Sequence, residues 1–154
     1  MFQVTTTRIR INQHAPTNFF INLGVSLGLP DDLVQRIAAG EAVLGPAGML
    51  CRVHMQPHEH ADTLAAFAEV ILPIAARELD GDDVVRLLAL QEHLLTEYGW
   101  RLTLSDLGLL CVCPLIAAHT AEDVAAVLDR GQTIARVALE VLVAQTEESA
   151  AVVS

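Results

Sequence analysis

Apolar positions recur at helical spacing twice in the C-terminal half of the chain. Val84, Leu87, Leu88, Leu94, Leu95 and Tyr98 follow the acidic cap sequence Asp80-Gly81-Asp82-Asp83 and precede Gly99, which suits a left-handed C′ position. Val124, Val127, Leu128, Ile134, Val137, Ala138, Val141 and Leu142 mark a second apolar face. It opens at Thr120-Ala121-Glu122-Asp123, with Thr120 as cap and Asp123 where a capping box places its acid. Gly131 interrupts this helix at a cost of about 1 kcal/mol relative to Ala, and its missing side chain leaves room for a close contact. Between the helices the period changes to two. Trp100, Leu102 and Leu104 point one way and Arg101 and Thr103 the other; Ser105-Asp106-Leu107-Gly108 has turn chemistry, and 109–116 is short and apolar. This predicts a β-hairpin with a more buried second strand.

The N-terminal half is patterned less sharply. Residues 1–16 read as an extended arm, with a weak strand signal in Val4, Ile9 and Ile11. Thr17 or Asn18 caps a short helix carrying Phe19, Phe20, Leu23, Val25 and Leu27, closed by Gly28 and Pro30. Pro30-Asp31-Asp32 starts another helical turn through Ile37. Strand-like residues 42–44, a Gly45-Pro46-Ala47-Gly48 turn and the alternation of Leu50, Arg52 and His54 with Cys51, Val53 and Met55 follow. The stretch 63–76 fits two elements. Its alanines with Leu64, Phe67, Ile71 and Leu72 suit a helix; Phe67, Glu69 and Ile71 against Val70 and Leu72 suit a strand ending at Pro73. The whole reads as one domain over 17–146, with a fraying tail at 147–154.

At 154 residues the chain is long enough to bury about 68–70% of its unfolded surface in a single core. Hydrophobic residues are 53%, charged residues 18% and mean hydropathy +0.44, which excludes a disordered acidic tail and leaves more apolar surface than one small core absorbs. Nineteen acids face nine basic residues, all Arg, for a net charge of −10. Such a field repels phosphate backbones and argues against nucleic acid as a partner. The longest clean apolar run, 107–118, has 12 residues and contains Pro114, short of the ~20 that span a bilayer. No short cationic start leads into an apolar run with an Ala-x-Ala site. The expectation is a soluble cytoplasmic protein without membrane insertion, its three cysteines (Cys51, Cys111, Cys113) free and buried.

Candidate chemistry is thin. His54, His58, Glu59, His60 and Asp62 gather imidazoles and carboxylates that could hold zinc or nickel, although Pro57 places most of them on a loop, where solvated polar residues are the plain alternative. No Gly-x-Ser-x-Gly elbow, Gly-x-Gly-x-x-Gly or Walker loop is present, and the chain has no Lys. Asp31-Asp32 and Asp82-Asp83 sit at helix starts, where the dipole explains them. The remaining signal is surface apolarity, which points to a symmetric dimer or an apolar groove for a partner.

The order of elements resembles that of the Tir-type (class I) chaperones of bacterial type III secretion. Residues 84–95 look like the family's central helix, 100–104 and 109–116 like its last two strands, and Thr120-Ala121-Glu122-Asp123-Val124 onward like its closing helix. More loosely, 18–29 is similar to the first helix and 41–74 to the first three strands. The resemblance implies an α+β fold: a small antiparallel sheet with a short N-terminal helix, a central helix and a C-terminal helix, forming a homodimer. It further implies a non-enzymatic cytoplasmic protein without cofactor. Such a protein holds the N-terminal region of secreted effectors in extended form and presents it to the export ATPase. On this reading Leu87, Gln91, Leu94 and Trp100 lie at or near the two-fold interface, and Phe19, Leu23, Val53, Met55 and Cys113 offer apolar patches to cargo. The alternatives are a generic dimeric adaptor and a small metal-binding protein using His54, His58 and His60.

Overall fold

The computed structural model describes residues 16–45, 48–57 and 64–153. In chain order it contains helix α1 (Pro16–Leu27), helix α2 (Asp31–Ala38), strands β1 (Val43–Leu44), β2 (Leu50–Pro57) and β3 (Leu64–Ala75), a 3-10 turn (Ala76–Glu78), helix α3 (Gly81–Glu97), strands β4 (Trp100–Leu104) and β5 (Leu109–Pro114), and helix α4 (Ala121–Val153). The five strands form one antiparallel sheet in the order β1-β2-β3-β5-β4, so the fold is α+β. The expected arm lies outside the described residues apart from Pro16.

Local chemistry sets the element ends. Asp80 accepts the Asp83 N–H at 2.8 Å while the Asp83 carboxylate accepts the Asp80 N–H at 3.1 Å, a reciprocal capping box built from two aspartates. Gly99, at φ +68°, ends α3 in the left-handed region. Thr120 Oγ1 accepts the Asp123 N–H at 3.1 Å and caps α4. α1 begins at Pro16, one residue before the expected cap; proline suits a first helical position because its missing N–H would be unpaired there. At the other end α4 continues to Val153, through the segment read as a fraying tail. Ala144, Ala150 and Ala151, with Glu147 and Glu148, are strong helix formers and carry the backbone on.

The ambiguous stretch is a strand. β3 pairs with β2 over eight consecutive positions, Leu50↔Ile71 to Pro57↔Leu64, and with β5 on its other side. The alanines that favour a helix locally yield to these two ladders. Ala66, Ala68, Val70 and Leu72 turn toward the helices and are buried. The strand outlasts Pro73: pairing with β5 slips between Ile71 and Ala75, where proline supplies no N–H, and resumes at Ala75↔Leu109.

α4 lies across β3 and β5, with α1 beside it. Gly131 makes this approach possible. A Cβ there would stand 2.8 Å from both Trp100 Cη2 and Val70 Cγ2, closer than side chains pack, so the helix-weakening glycine is exchanged for helix–sheet contact. α3 runs along β4, and Gln91 Oε1 accepts the Leu102 N–H, occupying part of that sheet edge.

Candidate functional site

Period two divides the sheet into unlike faces. Cys51, Val53, Met55, Ala66, Ala68, Val70, Leu72, Leu110, Val112, Trp100 and Leu102 pack into the core under the helices. The opposite face carries Arg52, His54, Phe67, Glu69, Arg101, Cys111 and Cys113. There Arg52 Nη1 reaches Asp106 at 2.8 Å and Glu69 at 3.5 Å, His54 Nε2 lies 3.2 Å from Glu69, and Cys111 donates to Glu69 at 3.7 Å. Arg101 Nε donates to Cys113 Sγ across the strand pair at 3.2 Å. The Arg52 guanidinium holds the Asp106 carboxyl below its usual range. Burial, with the Glu69 carboxylate beside it, pushes the Cys111 thiol up to about 12; burial alone, partly offset by a Gln132 hydrogen bond, pushes Cys51 up to about 11. His54 Nε2 hydrogen-bonds the Glu69 carboxylate. The arrangement is an ion-pair network over a 380 Å³ hollow lined by His54, Phe67, Glu69, Arg101 and Cys113.

Of the predicted metal cluster only His54 lies among the described residues, on β2; 58–63 lie outside them. No group of three or more His, Cys, Asp or Glu side chains suited to a metal occurs among the described residues.

The residues read for a contact between copies are largely inside the protomer. Leu87, Leu94 and Trp100 are buried in the core, Trp100 against Gly131, and Gln91 is half-buried with its carbonyl committed to β4. α3 is apolar on two sides, and packing on the sheet decides which turns inward. The outward side presents Val84, Leu88, Leu95 and Tyr98, 40–64% exposed, in a row spaced by four and three residues through Gln91. Val85, 66% exposed, flanks it.

The residues read as cargo patches lie as follows. Leu23 and Val53 are fully buried, and Phe19 and Met55 pack partly against the core, Phe19 edge-to-face with Phe20 at 5.2 Å. Cys113, also buried, lies on the opposite sheet face and lines the hollow. Two further surfaces were not revealed by spacing. Because β1 pairs only with Leu50 and Cys51, no strand among the described residues covers Arg52 to Pro57 of β2 on that side. A cleft of about 440 Å³ also opens where α3 ends, lined by Tyr98, Leu115, Ile116, Asp123, Val127 and Arg130.

No family model, curated protein or solved structure matches the chain. No described helix is long and apolar enough to cross a membrane.

Proposed function

We propose that the protein is a non-enzymatic chaperone of the type III secretion kind. It binds the N-terminal region of secreted effectors in extended form, keeps them soluble and hands them to the export ATPase in the bacterial cytoplasm. The observation that carries this reading is the edge of β2 that no described strand covers: a run of backbone donors and acceptors that an extended segment can extend as a further strand. Exposed Leu44 on β1 lies beside that edge and adds apolar contact. A net charge of −10 keeps a molecule with this much exposed apolar surface dispersed.

The working unit on this reading is a homodimer through the outward row of α3. Two copies packed antiparallel about a two-fold at Gln91 bring Leu88 against Leu95 and Val84 against Tyr98, each contact occurring twice. Affinity capture from the native cytoplasm, followed by limited proteolysis and mass spectrometry, tests the function. Secreted proteins protected near their N-termini are the expected result. Recovery of only folded cytoplasmic partners, or of the chain alone, would overturn it.

A further inference from the structure

Arg130 lines the cleft beside Tyr98 and has no ion-pair partner among the described residues. Asp82, exposed in the first turn of α3, has none either, because the capping box uses Asp80 and Asp83 and Arg86 pairs with Asp83 at 3.3 Å. Asp82 stands at the start of α3, and Arg130, on α4, lines the cleft where α3 ends. From Val84 to Tyr98 is 14 residues, about 21 Å along the axis. In the antiparallel pairing of α3 about Gln91, the first turn of one helix therefore arrives at the cleft of the other copy.

We infer that the cleft is closed by the first turn of α3 from a second copy of this chain. Val84 and Val85 of the second copy cover Tyr98, Leu115 and Ile116, and its Asp82 pairs with Arg130. The inference rests on the dimer reading and extends the seam beyond the helix row to the β5–α4 connection. Three features on the two surfaces agree. Ile116 and Leu115 are 80% and 51% exposed on one side of the cleft, so an apolar occupant is needed. Val85 is 66% exposed next to the row. The charges are complementary: three aspartates crowd the arriving turn, whereas the cleft offers Arg130, with Asp123 two turns back along α4 as its one acid.

Charge exchange in the full-length chain tests this by sedimentation equilibrium, with circular dichroism verifying that each variant is folded. Arg130→Asp and Asp82→Arg should each weaken the dimer about tenfold, since every dimer holds two copies of the pair. The combined variant, which restores opposite charges across the seam, should return to within about threefold of the parent. Leu88→Asp reports on the helix row independently. If Leu88→Asp dissociates the dimer while both charge variants leave it unchanged, the cleft is open in the dimer and this inference fails alone. It also fails alone if Arg130→Asp weakens cargo capture with the dimer intact. If the parent chain is monomeric throughout, or Leu88→Asp leaves its dimer intact, the two-fold reading falls and this inference with it.

Discussion

The two faces of the sheet share the same five strands and differ in what holds them. On the helix-covered face, Val70, Leu72 and Val112 are fully buried and interlock with α4, so packing density does the stabilising. On the opposite face, a nearly buried arginine ties β2 to β3 and to the β4–β5 turn through Glu69 and Asp106. One Arg52 nitrogen, Nε, is buried there without a hydrogen-bond partner among the described residues, so these leave the network partly unsatisfied. Neighbouring residues on one strand, such as Glu69 and Val70, should therefore respond to different perturbations. Volume matters on one face; charge and pH matter on the other.

The largest expected effect tests the packed face. Leu72→Ala should lower stability by about 3–5 kcal/mol, with a deficit in urea unfolding that stays constant between pH 6 and pH 8. A deficit that changes with pH across that range would blur the contrast between faces. Next comes Arg52→Met, which removes the charge but keeps much of the stem. It should cost about 2–3 kcal/mol, less than a fully buried pair, because His54 still contacts Glu69. Adding Glu69→Gln should recover part of that loss; additive losses would show that the two groups are not coupled.

A third test is alkaline titration. Cys51 and Cys111 hold their protons to about 11 and about 12 in the folded chain, whereas an unfolded cysteine loses its proton near 8.5. Their folded values are raised, so their contribution is complete below about pH 8.5 and is lost progressively as pH rises through the folded values. The urea midpoint should fall steadily above about pH 8.5, and less so after Cys111→Ala. The smallest effect is that of Asp106→Asn. Asp106 is exposed, and its carboxyl is depressed by Arg52, so its contribution is present above about pH 4 and lost as pH falls through the folded value. The variant should be slightly less stable at pH 7 and indistinguishable from the parent near pH 2.

Much of the fold was legible because it is written locally. The Asp80 cap, Gly99, Thr120, the β4–β5 turn and the alternation along β2 are each decided within a few residues, and the structure contains all of them. The site was less legible. Arg52 and Asp106 are 54 positions apart and become partners only when β2 and the β4–β5 turn meet on one face, which no spacing rule reports. That no described strand covers β2 beyond Cys51 depends on β1 being only two residues long, and strand ends are weakly marked in sequence.

Residue chemistry within one or two turns of chain settles the helices, their caps, the hairpin and the acidic, apolar-rich character of the chain, so all of these can be read from the linear order of side chains. That Leu64–Ala75 is a central strand is a tertiary outcome, since two ladders of backbone hydrogen bonds outweigh the helical preference of a few alanines. Which side of α3 becomes core is another. Both sides are apolar, and Leu87, Leu90 and Leu94 turn inward while Leu88 and Leu95 stay outside the protomer core because one helix can lay only one of its sides against β4.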